Sequence, residues 1–377
     1  MYSVLDFGYM AMCSVRMDAY ARAIARTVKP DSVVLDIGAG TGIFSLLAAR
    51  AGARRVHAVD PNPAVWLLPE VAAENGLADR IVIHPIESFD LVLDDRVDVI
   101  VSDLRGSIPF HGNNLPALHD AKARLLKPGG AILPARDRMM VAAVEAKDLG
   151  GALARAADGF ERYGFTAKST LRSIVNTPTS ERGRTVYSND VLTTSAAWAE
   201  LEYGVTTGGT TGKVVLHARR GGAAHGLAIW FDTTIHGDLG FETGPGSHLV
   251  YSRYFLPFPA PIELVEGDEV AVVLRTDANG DRWGWDTRVT SGGTTRAALR
   301  QSSFLGRPTS PASLLRESSS FTPTLSRKGA RLRRIFELMD GTRTVEAIVA
   351  AVAADDPTVR RDALLEEVRD ASSRYAE

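Results

Sequence analysis

One segment near the start of the chain constrains the fold more than any other. Residues 33–42 read Val-Val-Leu-Asp-Ile-Gly-Ala-Gly-Thr-Gly, and a second apolar segment, residues 56–60, ends on Asp60. An apolar strand, a glycine turn, a helix and a second strand ending on an acid are typical of a nucleotide-binding βαβ unit. Glycines let the backbone approach a ligand closely, and the helix start offers free N–H groups. The segment therefore predicts a Rossmann-like sheet that binds a nucleotide-type cofactor.

The acid that opens the glycine loop narrows the class of cofactor. Asp36 precedes Gly38, Gly40 and Gly42, whereas the G-x-G-x-x-G loop is shaped for a pyrophosphate. An acid repels phosphate and attracts an ammonium group, and Asp60 is placed to accept hydrogen bonds from ribose hydroxyls. A ribose with a cationic amino-acid tail describes S-adenosylmethionine, which we predict as the cofactor. The alternative is a generic Rossmann turn that binds another nucleotide.

Composition excludes several other classes of protein. The 377 residues are 45% hydrophobic and 23% charged, with a net charge of -2, which gives no electrostatic reason to expect nucleic-acid binding. The single cysteine, Cys13, excludes an intramolecular disulfide and fits a reducing compartment. No apolar run approaches the roughly 20 residues of a membrane span, and the N-terminus lacks the basic start of a signal peptide. We predict a cytoplasmic protein without a metal, because no ligand cluster has suitable spacing.

The hydropathy pattern changes twice along the chain. Alternating strands and helices predict a doubly wound parallel sheet with strands at residues 33–37, 55–59, 81–84, 97–102 and 131–133. Short strands between turn residues then predict a β-barrel or sandwich, with strands at residues 139–145, 197–203, 213–217, 226–232, 250–255 and 269–275. Helical patterns occupy residues 10–26, 148–163, 329–339, 344–354 and 359–374.

These changes predict an α/β chain of five segments. A helical cofactor lid (1–30) precedes a Rossmann-like cofactor-binding domain (31–135). A β-barrel substrate domain (136–305) follows, with a helical arm at about 148–172. A linker rich in Ser, Pro and Thr (306–324) leads to a small C-terminal helical domain (325–377).

The chain resembles the protein arginine methyltransferases over roughly residues 2–290. Residues 16–24 are similar to the family's N-terminal helix, which implies that Arg16 binds the methionine carboxylate of the cofactor. The resemblance also implies that Met10 lies near the reacting methyl group and that Glu87 accepts a hydrogen bond from the adenine amine. We place Ser102 with these cofactor-binding residues. Residues 163–165, Tyr-Gly-Phe, follow the helical arm as in the family, which implies a homodimer.

The loop that binds the substrate in this family departs from the family pattern here. Two glutamates that bind the substrate guanidinium in the family fall on Asp103 and Gly112. Because a planar guanidinium matches two carboxylates, this loop argues against arginine as the methyl acceptor. The family's Thr-His-Trp loop is Ser-His-Leu at residues 247–249. The remaining acid and histidine predict that Asp103 orients the acceptor and that His248 removes its proton, with His111 nearby.

Two further features leave alternatives open. Arg105 either binds an anionic substrate or is a solvated loop charge. Residues 332–348 are similar to PqqD-type winged-helix peptide chaperones, which implies a leader-peptide site; a helical appendage that aids stability or dimerisation is the alternative. The basic cluster at residues 327–334 favours a solvated helix face over contact with a peptide or nucleic acid.

Together these patterns predict a methyltransferase that modifies a nitrogen or oxygen of a peptide, of the ribosomally made natural-product type, or of another natural product. One alternative is a protein arginine N-methyltransferase with an altered acidic loop. The other is a non-catalytic scaffold that binds the cofactor or a peptide.

Overall fold

The computed structural model describes residues 2–156, 158–180, 186–277 and 279–376. The chain forms two compact units, which divide between Pro308 and Thr309, inside the predicted linker. In the described ranges, no helix combines the length and the apolar character that crossing a membrane requires.

The first unit opens with two helices, α1 (Val4–Met12) and α2 (Ser14–Thr27). The segment that the sequence predicts as one helix over residues 10–26 is therefore interrupted at Cys13. Ser3 begins α1 as a capping box, because its side chain accepts a hydrogen bond from the Asp6 amide while the Asp6 carboxylate accepts one from the Ser3 amide. The buried face of α2 includes Tyr20, which lies against the core of the parallel sheet.

The parallel sheet has the strand order β3-β2-β1-β4-β5. Its strands are β1 (Val33–Ile37), β2 (Arg55–Val59), β3 (Ile81–His84), β4 (Val97–Ser102) and β5 (Leu126–Leu133). The helices between them are α3 (Ile43–Arg50), α4 (Leu68–Glu74) and α5 (Asn114–Arg124). Four predicted strands have the observed bounds, and the fifth, predicted at residues 131–133, is longer because β5 already begins at Leu126. The carboxyl ends of β1, β2 and β4 meet at one edge, where ligands bind in such folds.

Two antiparallel sheets follow, in the orders β7-β12-β10-β6-β8, with β11 on β10, and β15-β14-β13-β9. Their strands are β6 (Arg136–Val144), β7 (Thr179–Ser180), β8 (Ala196–Glu202), β9 (Thr210–His217), β10 (Gly222–His236), β11 (Leu239–Glu242), β12 (Tyr254–Leu264), β13 (Glu269–Thr276), β14 (Trp283–Ser291) and β15 (Thr294–Ser302). The predicted strand at 250–255 is wrong, because β12 begins only at Tyr254 and Tyr251 lies in the connection before it. The inserted arm comprises α6 (Lys147–Arg155), α7 (Asp158–Glu161) and α8 (Lys168–Val175).

Two short helices, α9 (Ser303–Gly306) and α10 (Pro311–Arg316), lie at the predicted linker. The second unit contains three longer helices, α11 (Arg327–Leu338), α12 (Val345–Asp355) and α13 (Arg361–Tyr375). They bury a separate core that includes Ile335, Val349 and Leu364. Residues 309–376 contain no strand, so the described part of this unit lacks the β-wing of a winged helix.

The basic cluster of α11 is largely ion-paired with acids of the other two helices. The guanidinium of Arg331 lies 2.8 Å from the Glu367 carboxylate, and that of Arg334 lies 2.8 Å from Asp355. These pairs neutralise much of the positive charge, as the prediction of a solvated helix face requires.

Candidate active site

The glycine loop between β1 and α3 has a backbone that side chains rarely adopt. Gly38, Gly40 and Gly42 have φ angles of +75°, +53° and +88°. A Cβ at Gly40 would lie 2.4 Å from Cε1 of Phe7, because α1 lies against this loop. Glycine at position 40 is therefore required both by the backbone conformation and by the close approach of the aromatic ring.

Asp60, at the end of β2, is tied to the glycine loop. Its Oδ2 accepts a hydrogen bond from the Gly40 amide at 2.7 Å, and its Oδ1 accepts one from the Asn62 amide at 2.7 Å. Burial raises the pKa of this carboxyl, although both amides oppose the shift. Each carboxylate oxygen retains lone-pair capacity, which matches the predicted contact with ribose hydroxyls.

Asp36, at the end of β1, is fully buried with half of its carboxylate unused. Its Oδ2 accepts a hydrogen bond from the Ser45 hydroxyl at 2.6 Å, whereas its Oδ1 has no partner among the described residues. Burial raises the pKa of this carboxyl to about 7, against the opposing hydrogen bond from Ser45. An unpaired buried oxygen is costly, so a bound ammonium group would satisfy it.

The remaining predicted cofactor residues surround the same edge of the sheet. Glu87 is exposed immediately after β3, and the buried hydroxyl of Ser102 at the end of β4 donates to the Ile37 carbonyl at 3.0 Å. Met10 is half-buried at the end of α1, and its carbonyl accepts a hydrogen bond from Nη1 of Arg16 at 3.3 Å. Arg16 thus faces this edge, as the prediction of a carboxylate contact requires.

Asp103, which follows β4, is surrounded by cations. Nε of Arg16 lies 2.6 Å from its Oδ2, Nε of Arg105 lies 2.9 Å from its Oδ1, and the Tyr251 hydroxyl donates to Oδ2 at 2.5 Å. Burial would raise the pKa of this carboxyl, but Arg105 and Arg16 outweigh burial and hold the pKa well below its usual range. Asp103 is therefore an ionised member of a buried ion-pair network.

The predicted pairing of Asp103 with His248 is wrong. Among the described residues, Arg16 and Arg105 occupy the two carboxylate oxygens of Asp103. His248 is exposed in the connection between β11 and β12, and His111 is exposed in the loop before α5. Both alternatives for Arg105 are wrong, since its side chain is 1% exposed and is paired within the protein.

Sequence reasoning missed three polar side chains of this network. Tyr251 lies in the connection that was predicted as a strand. The sequence pattern places Tyr20 on a helix but assigns it no role in the site. It assigns no role either to Asp137, a fully buried acid on β6. The available signal was strand alternation, which places Asp137, between Arg136 and Arg138, on the same buried face as Met139. A buried carboxylate then requires a partner cation.

In the described ranges, no three His, Cys, Asp or Glu side chains are grouped so that they could hold a metal ion. The prediction that the protein uses no metal stays a prediction.

Comparisons with known proteins agree with this architecture. A family model described as a methyltransferase domain matches residues 34–130. The chain is 31% identical over 229 residues to the probable protein arginine N-methyltransferase 1.2 of Arabidopsis thaliana, covering 59% of this chain and 61% of that relative. It is 36% identical over 135 residues to the probable protein arginine N-methyltransferase 6 of the same plant, covering 35% of this chain and 31% of that relative. The chain thus spans less than two thirds of the length of either relative.

Solved structures share the fold over a larger part of the chain. A structure of the Trypanosoma brucei PRMT1 enzyme-prozyme heterotetrameric complex with AdoHcy has a TM-score of 0.68 at 23% identity, and covers 78% of this chain and 96% of that chain. The structure of Arabidopsis thaliana protein arginine methyltransferase 10 has a TM-score of 0.66 at 20% identity, and covers 80% of this chain and 97% of that chain.

The chain therefore contains a class I S-adenosylmethionine-dependent methyltransferase domain, in which a Rossmann-like parallel sheet is followed by an antiparallel sheet domain. Its cofactor is S-adenosylmethionine. The unpaired Oδ1 of Asp36, the spare capacity of Asp60 and the close glycine loop fit the ammonium and ribose groups of this molecule.

Proposed function

We propose that this protein transfers a methyl group to a nitrogen or oxygen of a peptide or other natural product, and that arginine is not the acceptor. The observation that carries this proposal is the saturation of Asp103 by Arg16, Arg105 and Tyr251. A second carboxylate is also lacking in the loop, where Gly112 is exposed and open. A cationic guanidinium thus meets neither of the two carboxylates that its planar fork requires.

S-adenosylmethionine supplies a methyl group that is already activated for displacement. The protein then has to hold the cofactor and align the acceptor with the methyl group. We assign Asp36 to the ammonium group, Asp60 to the ribose and Arg16 to the carboxylate, because each lies at the same edge of the sheet with the appropriate charge. Glu87 and Ser102 complete the cofactor side in this proposal.

Proton removal from the acceptor is assigned to the exposed histidines. Histidine is the side chain that most often acts as a general base at neutral pH, and His248 and His111 are exposed. Asp103 takes a positioning role in place of the predicted acceptor contact, because it fixes the guanidinium of Arg16. His248→Ala and His111→Ala should each be compared with His119→Ala, an exposed histidine on α5.

The test is S-adenosylhomocysteine release, measured by mass spectrometry, with a panel of acceptors. Arginine-rich peptides, peptides without arginine and any precursor peptide encoded beside the gene form the panel. We expect release with an arginine-free acceptor, and a loss of about 100-fold in kcat when the catalytic histidine is replaced. Full turnover in both histidine variants, or release with arginine peptides alone, would contradict the proposal.

The alternative function is protein arginine N-methylation, which the names of the similar relatives favour. The same panel separates the two functions, because methylated arginine is identified directly by fragmentation of the product peptide. A non-catalytic scaffold would bind S-adenosylhomocysteine and yet release none with any acceptor.

We further propose that the C-terminal unit recruits a peptide acceptor. Its small helical core and the exposed aromatic pair Phe336 and Tyr375, whose ring centroids lie 5.3 Å apart, support a peptide contact. Tethering would raise the local concentration of the acceptor. A chain ending at Pro308 should then show a raised KM for the peptide with kcat unchanged; an unchanged KM would favour the structural appendage.

We also propose that the inserted arm forms a homodimer. Phe160, Tyr163 and Phe165 on the arm are 48%, 74% and 66% exposed, which is unusual for three neighbouring aromatic side chains. Light scattering after size exclusion should give a dimer for the wild type and a monomer for Tyr163→Ser/Phe165→Ser. A monomeric wild type would contradict this part of the proposal.

A further inference from the structure

The guanidinium of Arg105 forms hydrogen bonds with two carboxylates and three hydroxyls of the protein. Its Nε donates to Oδ1 of Asp103 at 2.9 Å. Its Nη1 donates to the Asp137 carboxylate, with 3.2 Å to Oδ1, and to the Thr233 hydroxyl at 2.8 Å. Two carboxylates, from the loop after β4 and from β6, therefore face one planar fork, and their side chains are 5% exposed for Asp103 and fully buried for Asp137.

Two tyrosine hydroxyls complete the shell around the same group. Nη2 of Arg105 donates to the Tyr20 hydroxyl at 2.9 Å and to the Tyr251 hydroxyl at 3.0 Å. Each hydroxyl also donates a hydrogen bond of its own. Tyr20 donates to the Ser102 carbonyl at 3.0 Å, and Tyr251 donates to the Asp103 carboxylate. Every N–H of the guanidinium thus has an oriented acceptor, so all five donors of the side chain are used.

Aromatic rings enclose the guanidinium on its remaining sides. Its Cζ lies 5.0–5.8 Å from the centroids of four rings, all within cation–π distance, namely Phe231, Tyr251, Phe241 and Tyr20. These residues come from α2, β10, β11 and the connection before β12. The surroundings of Arg105 therefore have the composition of a receptor for a guanidinium cation, which includes paired carboxylates, hydroxyl acceptors and an aromatic cage.

We propose that this pocket is a guanidinium-binding site which the chain fills with its own Arg105, and that Arg105 is the residue that excludes guanidinium acceptors. The pocket follows β4, at the edge of the sheet where the cofactor residues lie. Because Arg105 neutralises Asp103 and Asp137 and uses their oxygens, a substrate guanidinium finds neither free charge nor free acceptors. The exclusion of guanidinium acceptors by Arg105 rests on the proposed function, whereas the occupation of the pocket by Arg105 does not depend on methyl transfer.

The proposal predicts that removal of Arg105 creates a site for a free cation of the same shape. Arg105→Ala should lower the melting temperature, because it leaves the buried Asp137 carboxylate without its cation. Millimolar methylguanidinium should raise the melting temperature of this variant and leave that of the wild type unchanged. Methylammonium, which has the charge without the planar fork, should have little effect.

Calorimetry gives the decisive number. In the presence of S-adenosylhomocysteine, methylguanidinium should bind Arg105→Ala at least about tenfold more tightly than it binds the wild type, which corresponds to about 1.4 kcal/mol. Arg138→Ala is the matched control, because Arg138 is a 52% exposed arginine on β6 whose loss opens no buried site. Equal binding by Arg105→Ala and the wild type would overturn the proposal.

A second variant covers the case in which Arg105→Ala does not fold. Arg105→Ala/Asp137→Asn removes the buried charge that Arg105→Ala leaves without a cation, since Asp103 keeps Arg16, and it should still bind methylguanidinium, although more weakly. If neither variant folds in the presence of methylguanidinium, the proposal is refuted, because the free cation would then be unable to replace the side chain. The proposed function fails separately, when no acceptor of the panel is methylated.

Discussion

The buried carboxyl of Asp36 predicts that affinity for the cofactor depends on pH. Burial raises its pKa to about 7, and only the ionised form attracts an ammonium group. With this pKa, the ionised fraction is about 0.03 at about pH 5.5 and about 0.5 at about pH 7. Because apparent affinity scales with the fraction of binding-competent protein, affinity for S-adenosylhomocysteine should rise about 16-fold, or about 1.6 kcal/mol.

The sign of this dependence follows from the protonation state of each partner. At low pH Asp36 is neutral, so binding has to release its proton and affinity is weakened. The ligand amine, which has its own carboxylate beside it, stays protonated over the same window. Affinity therefore rises most steeply below about pH 7, gains about another twofold above it as the remaining Asp36 ionises, and decreases again once the amine loses its proton.

Isothermal titration calorimetry at closely spaced pH values measures the effect directly. Buffers that differ in ionisation enthalpy report the released proton. Asp36→Asn should bind S-adenosylhomocysteine with a flat profile below about pH 7, whereas Asp286→Asn, a change in the second antiparallel sheet, should keep the wild-type slope. A wild-type profile that is flat, or a slope that persists in Asp36→Asn, would refute the assignment of Asp36 to the ammonium group.

Three further predictions concern the loop, the ion-pair network and a histidine pair. Gly40→Ala should weaken binding of S-adenosylhomocysteine by about tenfold or more, because its Cβ would displace Phe7; Gly76→Ala, with a similar φ of +66° and open space, is the calorimetric control. Asp103→Asn should lower the free energy of unfolding in urea by about 3–5 kcal/mol, because two buried arginines lose their partner; a loss below about 1 kcal/mol would contradict the network. Burial and the neighbouring His84 lower the pKa of His57 to about 4, so part of the stability is present above the unfolded pKa of about 6.5 and is lost as the pH falls towards 4. His57→Phe should flatten the melting temperature between these pH values, and an unchanged profile would exclude this pair as the cause.

Elements that depend on local pattern were predictable from the sequence. The bounds of β1 to β4 follow from short apolar segments that end at turns or acids, and burial on both faces makes that pattern continuous. The strands β14 and β15 were missed, because the apolar residues of β14 alternate with charged ones and β15 is mostly exposed. β14 forms through pairing with β13, and β15 through pairing with β14, and a local sequence pattern does not contain these pairings.

The candidate site divides in the same way. The glycine loop, Asp36 and Asp60 belong to one βαβ unit, so their proximity follows from sequence spacing. Two partners of Asp103 come from distant segments, since Arg16 is 87 and Tyr251 is 148 residues away. No spacing rule relates such distant residues. The sequence pattern therefore favours His248 as the partner of Asp103, because it does not show that Asp103 is buried between arginines.

The buried pairing of Arg105 with Asp137 also restricts how this site can change over evolutionary time. Each residue makes the other tolerable, because either charge left alone in the interior is strongly unfavourable. A mutation at one position therefore passes through a destabilised intermediate before the second mutation can compensate. Replacement of this ion pair would thus require coordinated changes at positions 32 residues apart in the chain.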